Sequence, residues 1–323
     1  MVVLYHTQED KMPKKKREKV SLYKFLQMFP DEKAAEKFFE DVRWGKDGRH
    51  CPHCGSVRTS EVSNPKLPPY RCKDCRKHFS VRLGSIMEGS PIDLHKWLIA
   101  IYMFSTSLKG ISSTKLASDL GIQQRSAWFL AHRIRKSMEQ GNTIFTKPVE
   151  ADETYIGGLE KNKHASKRKH DGRGTKGKTA VLGVKERESK KVAVKVAPDT
   201  TGKTLSNFIG SHVEAGTTVY TDEHKGYNPI AIEYDRKSVK HSLGEYVDGQ
   251  IHTNGMESFW SMLKRGYIGT YHRLSEKHLQ RYADEFASRH NARQKPTIEQ
   301  IIGIMEGMQG KRLTYKELTH GKH

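Results

Sequence analysis

The chain of 323 residues is short of cysteine, of acid and of long apolar runs. Its four cysteines all fall between positions 51 and 75, which excludes the dispersed disulfide framework of a secreted scaffold. Hydrophobic residues make up 35% of the chain and the mean hydropathy is −0.75, so the core is modest. The longest apolar run, WLIAIYMF (97–104), falls far below the roughly 20 residues of a membrane-spanning helix. The opening MVVLYHTQEDKMPKKKREK lacks the ordered basic, apolar and small-residue regions of a signal peptide. The expectation is a cytoplasmic, nucleoid-associated protein with no membrane partner.

Acid is scarce relative to base: 37 Asp and Glu stand against 57 Lys and Arg, giving a net charge of +20 and a pI near 9.7. The excess is clustered in PKKKREK (13–19), KNKHASKRKHDGRGTKGK (161–178) and KRGYIGTYHRLSEKHLQR (264–281). A surface charged only for solubility intersperses both signs. Clustering points instead to a polyanionic partner, and nucleic acid is the one expected.

What the chain does contain is ordered along its length. After a basic tail (1–20), SLYKFLQMFP reads as a helix stopped by Pro30, and Asp31 reads as the cap of a second helix. Cys51 and Cys54 form one C-x2-C knuckle, and Cys72 and Cys75 a second, with seventeen residues between them. Four thiolates so spaced suit one tetrahedral structural Zn²⁺, the mark of a zinc ribbon. Then IDLHKWLIAIYMFS reads as a helix, and SSTKLASDLGIQQRSAWFLAHRIRKSME as a helix-turn-helix with Gly121 at the turn. That arrangement leaves Gln123, Gln124, Arg125 and Ser126 at the start of the second helix, residue types suited to base edges and phosphates.

From about 148 the texture becomes mixed α/β. VEADETYIGG (149–158) reads as a strand, 179–187 and 190–198 as a hairpin, and 203–213 as a helix. TTVYTDEHKGY (217–227) reads as a strand running into a loop, followed by a short strand near 237–241 and helices from about 254 and over 275–291. In that order the first strand, the fourth strand and the late helix converge on one sheet edge, bringing together Asp152, Asp222 and Glu257. Three such carboxylates suit two Mg²⁺ or Mn²⁺ ions and phosphodiester chemistry. On the late helix Asn254, Glu257 and Lys264 share one face, while Met256, Phe259, Trp260, Leu263 and Tyr267 share another. Lys264 and Arg265 are thus candidates for the phosphate backbone. Asn254 is also a candidate cap of its helix.

VEADETYIGG, VYTDEHKGY and HTNGMESFWSMLKRGYIGTYHRLSEKHLQRYADEF resemble closely the three catalytic blocks of bacterial insertion-sequence transposases of the DDE superfamily, in the Merlin-related, ISXO2-like group. The ribbon and helix-turn-helix ahead of them match the layout of that group, and the likeness spans residues 20–295. It implies a ribonuclease H-like catalytic domain with Asp152, Asp222 and Glu257 as the metal-binding triad, Asn254 being the alternative third ligand because some related enzymes use Asn there. The 34 residues between Asp222 and Glu257, and Lys264 seven past Glu257, fit the superfamily pattern. The implied organisation is a tail (1–20), N-terminal helices and zinc ribbon (21–90), a helix-turn-helix domain (91–147), the catalytic domain (148–295), and a C-terminal helix and tail (296–323). The implied activity is cleavage at the terminal inverted repeats and joining of the freed ends to target DNA, by a homodimer or higher oligomer. A non-catalytic DNA-binding regulator using the same ribbon and helices is the alternative.

Overall fold

The computed structural model describes residues 17–139, 141, 143–158, 164–168, 174, 175, 177–238 and 252–321. The tail up to residue 16, half of the basic loop 161–178 and the end of the strand expected near 237–241 lie outside the described residues.

The N-terminal part begins with α1 (Leu22–Met28) and α2 (Glu32–Trp44), separated at Pro30. Asp31 caps α2, its carboxylate accepting the Ala34 N–H at 2.8 Å. A small antiparallel sheet follows, β1 (Thr59–Glu61), β2 (Tyr70–Cys72) and β3 (His78–Phe79). Next come α3 (Leu94–Thr106), α4 (Ser113–Leu120) and α5 (Gln124–Ser137). Gly121 closes α4 in the left-handed region (φ 60°, ψ 44°), where a side chain is disfavoured and glycine is not. The turn leads directly into α5.

The C-terminal helices α9 (Thr297–Glu306) and α10 (Tyr315–His320) return to this N-terminal unit. Ile301, Ile304, Met305 and Leu318 share one apolar core with Trp97, Phe104, Leu116 and Leu130. The Ile86 N–H donates to the Met308 carbonyl at 3.0 Å, and the Gly310 N–H to the Gly84 carbonyl at 3.0 Å. The two ends of the chain therefore build one body.

Between them lies a five-stranded sheet in the order β6-β5-β4-β7-β8. Its strands are β4 (Val149–Ile156), β5 (Thr179–Glu186), β6 (Val192–Ala197), β7 (Thr218–Thr221) and β8 (Asp235–Ser238). β4, β5 and β6 form an antiparallel meander, while β7 runs parallel to β4 and β8 parallel to β7. This is the ribonuclease H-like order. Among the described residues the last strand runs from Asp235 to Ser238, starting slightly ahead of its expected place.

Side-chain alternation along β4 assigns each residue to a face. Val149 and Ala151 join the core under α6 (Gly202–Gly210), with Leu205, Phe208 and Ile209. Ile156 joins the opposite core, made by α7 (Asn254–Gly266) and α8 (Glu276–Ala292) through Met256, Phe259, Trp260, Leu263, Leu279 and Phe286. The result is a helix–sheet–helix sandwich. α8 also ties it to the N-terminal unit: buried Glu285 accepts from Arg135 of α5 at 2.7 Å, from Tyr271 at 2.9 Å and from Arg289. Arg289 in turn donates to the Phe104 carbonyl of α3 at 3.1 Å.

Candidate active site

On β4 the even residues face α7. Asp152 lies there, and its neighbour Glu153 faces the other side, where it accepts the Tyr227 hydroxyl at 2.8 Å. Register matters here, because a slip of one residue would exchange the two carboxylates. Asp222 follows β7 directly, one strand over from Asp152, and its Oδ1 accepts the His224 N–H at 3.0 Å in a tight turn. Arg236 of β8 holds the Asp222 carbonyl at 3.0 Å, fixing the backbone at this end of the sheet.

The acidic edge is electrostatically loaded. Burial pushes the Asp152 carboxyl up to about 7, and the charges of Glu153 and Asp222 push the same way. Two donors oppose the rise: the Glu153 N–H at 2.9 Å on Oδ1 and the Trp260 indole N–H at 3.1 Å on Oδ2. Burial also raises Glu153, which Asp222 reinforces while the Tyr227 hydroxyl counteracts. Clustered carboxylates that resist ionisation in the bare protein are the donor set a hard divalent cation stabilises.

Glu257 stands in the first turn of α7 and is exposed. Asn254, Lys264 and Arg265 are exposed as well, while Met256, Phe259, Trp260, Leu263 and Gly266 are buried. The cap position of α7 is Thr253, and Asn254 is the first helical residue rather than the cap. Glu257 and Trp260 are three residues apart, about 4.5 Å along the axis, so the helix that contacts Asp152 also carries Glu257. Among the described residues, four cysteines form the group of three or more ligand-type side chains with donor atoms within 4.8 Å of one another. Asp152, Asp222 and Glu257 do not form such a group, while the charge of Asp222 does act on Asp152.

α7 is anchored on residues whose roles the sequence did not disclose. Buried Glu150, two before Asp152 and on the same face, accepts the Met256 N–H at 3.1 Å and pairs with Arg187 at 3.1 Å. Arg187 donates to the His252 carbonyl at 2.7 Å and stacks 3.7 Å from the Tyr220 ring of β7. Lys185 donates to the Gly255 carbonyl at 2.8 Å. Strands β4 and β5 thus hold the start of α7, with Tyr220 of β7 backing Arg187. The period-two spacing of Glu150 and Asp152 was the available signal for the first of these contacts.

At the ribbon, the Cys51 and Cys75 sulfurs lie 3.7 Å apart, as do those of Cys54 and Cys72. Tetrahedral sulfur about 2.3 Å from zinc gives edges of about 3.8 Å, whereas a disulfide needs about 2.05 Å. The four cysteines fit one structural zinc. The His53 N–H points at Cys51 Sγ at 3.4 Å, as a knuckle requires.

Along the turn into α5, Gln123, Gln124 and Arg125 are exposed and Ser126 is half-buried. Gln124 donates to the Ser113 hydroxyl at 2.8 Å. Arg125 donates to the Tyr315 hydroxyl of α10 at 2.9 Å and lies 4.6 Å from its ring centre. Nothing in the spacing around Arg125 pointed to a partner 190 residues away.

A ribonuclease H-like sheet with an acidic edge, joined to a four-cysteine ribbon, is the architecture of a transposase. Residues 131–291 match the ISXO2-like transposase domain, and residues 30–78 match the transposase zinc-ribbon domain. The chain belongs to the ISXO2-like transposases. It is similar to a protein described as uncharacterised in transposable element ISH50 of Halobacterium salinarum, 25% identical over 295 residues, covering 87% of this chain and 98% of that one. It is also similar to a transposase-like protein of Haemophilus influenzae, 26% identical over 102 residues, covering 31% of this chain and 81% of that one. A chain in the cryo-electron-microscopy structure of the simian T-cell lymphotropic virus intasome with PP2A regulatory subunit B56 gamma superposes with a TM-score of 0.26. Its identity is 10%, with 59% of this chain and 64% of that chain covered.

Proposed function

We propose that this transposase binds the terminal inverted repeats of its own element, cuts at the ends and joins them to target DNA. The ribbon and the α4–α5 pair, over residues 45–140, form the end-binding part as a helix-turn-helix, with Gln123, Gln124, Arg125 and Ser126 facing the DNA. Asp152, Asp222 and Glu257 hold two Mg²⁺ (or Mn²⁺) ions. When bound, such ions screen the scissile phosphate and activate the attacking oxygen. Water attacks phosphorus, the P–O3′ bond breaks, and a 3′-hydroxyl is freed at each end. That hydroxyl then attacks a target phosphodiester, forming one P–O bond as another breaks. Exposed Lys264 and Arg265 lie on the helix of Glu257 and draw the phosphate backbone toward it. Joining two ends to one target calls for two active sites, hence a homodimer or larger assembly at the nucleoid.

The observation that supports this reading best is the hydrogen bond from Trp260 of α7 to Asp152 of β4, beside Asp222. It brings the helix that carries Glu257 into contact with Asp152, whose carboxyl feels the charge of Asp222. The test is a duplex carrying the element's ends, incubated with purified protein, Mg²⁺ and target plasmid. Nicked ends and end-to-target joints are expected. Tight end binding with neither product would make the protein a DNA-binding regulator. Nicking without joints would make it a nuclease.

A further inference from the structure

The proposed triad accounts for Glu257 but leaves the neighbouring indole without a role. Trp260 is 4% exposed, and its Nε1–H reaches Asp152 Oδ2 at 3.1 Å. The other oxygen of Asp152 accepts the Glu153 N–H at 2.9 Å. Each carboxylate oxygen therefore takes one N–H from a fixed source, one from backbone and one from a ring held in the core. An indole donates only, and it is neutral. It aims the carboxylate without competing for a cation by charge, and each oxygen keeps a lone pair for metal.

The ring itself has little freedom. It packs edge-on against Phe259 at 5.2 Å, and it lies so close over Gly183 that a Cβ there would stand 2.7 Å from it. A donor mounted this firmly ties the orientation of Asp152 to the seat of α7, the helix that also carries Glu257.

We infer that Trp260 is a positioning residue, whose indole N–H holds the Asp152 carboxylate in the orientation a divalent cation needs. The inference rests on the reading of Asp152 as a metal ligand. Partners of this kind are worth about 10–100-fold in metal affinity.

The test is Trp260→Phe, which keeps most of the buried ring and removes the N–H. Its half-saturating Mg²⁺ for end cleavage is expected to rise about tenfold or more, with the maximal rate at saturating Mg²⁺ largely recovered and end-DNA binding unchanged. A reduced maximal rate with unshifted Mg²⁺ dependence would mean a packing role only and would overturn the inference. The wild-type chain supplies a second readout that needs no variant to fold. It has 4 tryptophans, so Mg²⁺ titration followed by the indole N–H resonances is expected to move one of them, and Asp152→Asn is expected to abolish that movement. Four stationary indole signals in a protein that binds Mg²⁺ would also overturn it. If wild-type protein neither binds Mg²⁺ nor cuts, the reading of the site itself has failed, a distinct result.

Discussion

Gly183 stands across the β4–β5 ladder from Asp152, and Trp260 occupies the space a side chain at that position would fill. A Cβ on Gly183 would meet the indole at 2.7 Å and crowd the end of Met256. Methionine can bend away, but the indole is wedged between sheet and helix. Gly183→Ala should therefore lift α7 from the strand, at a cost of about 1–3 kcal/mol as overpacking. Cleavage should fall much further than stability, because the same shift moves Glu257 and the donor to Asp152. Thermal unfolding and end cleavage on one preparation compare the two; unchanged cleavage would mean the helix tolerates the displacement.

Asp152 gives a pH dependence whose sign can be worked out. Its folded value of about 7 lies above the ordinary 3.8, chiefly through burial. The folded protein keeps a proton that the unfolded chain has already lost, so ionisation between those values favours unfolding. The metal-free protein should lose stability as pH rises through that window, and Asp284, raised to about 7 by burial, adds to the trend. Asp152→Asn removes one share of it. The variant should melt several degrees above wild type near about pH 8, with the gain gone by about pH 4. Added Mg²⁺ should reverse the order at the higher pH by stabilising wild type alone. Equal melting temperatures across the range would mean that Asp152 carries no such strain.

These two effects differ in how far the sequence announces them. The four cysteines specify the ribbon by spacing, and Asp31 and Gly121 mark helix ends through local backbone chemistry. The alternation of VEADETYI gives β4 and the face of Asp152. What local pattern does not contain is the far end of a contact. The buried stripe on α7 says that Trp260 is inside, but its N–H meets a partner 108 positions earlier. The apolar spacing of α9 is visible in TIEQIIGIME, yet its partner core around Trp97 lies two hundred residues upstream. Long-range pairing decides both, and one sequence read alone does not report it.

The ribbon makes a prediction about metal and folding together. The 3.7 Å sulfur pairs leave room for one tetrahedral ion, and a structural zinc contributes directly to folding energy. Protein purified without chelator should carry one zinc per chain. Cys72→Ser should lose it and weaken end binding while the ribonuclease H-like sheet keeps its fold. Elemental analysis showing no zinc would remove the ribbon's metal.

Arg125 is held by Tyr315, so reading of DNA by α5 should depend on α10. If Arg125 meets a base, Arg125→Ala should cost about 1–3 kcal/mol on the element's ends and little on random DNA. Tyr315→Phe keeps the ring that Arg125 lies against and removes the hydroxyl it donates to, so its loss should be smaller in the same assay. Equal losses on both DNAs would make Arg125 a phosphate contact.

Which residue of α7 completes the metal site is decided by comparing Glu257 with Asn254. Both are exposed on the same helix, one turn apart, and the helix cap is Thr253. Asn254→Ala therefore tests a ligand without removing a cap, whose loss would otherwise cost about 1 kcal/mol. Glu257→Gln is nearly isosteric and removes one charge, so the fold and end binding should survive. Cleavage and joining should be abolished, because a neutral amide replaces an anionic donor to the cation. Asn254→Ala should cut more slowly at most, in Mg²⁺ and in Mn²⁺. Glu150→Gln supplies the control for placement. It should weaken the ion pair with Arg187 and loosen the start of α7, lowering activity with Glu257 itself intact. Should Glu257→Gln still cut while Asn254→Ala does not, the third ligand is Asn254 and the metal sits one turn nearer the anchored end of the helix.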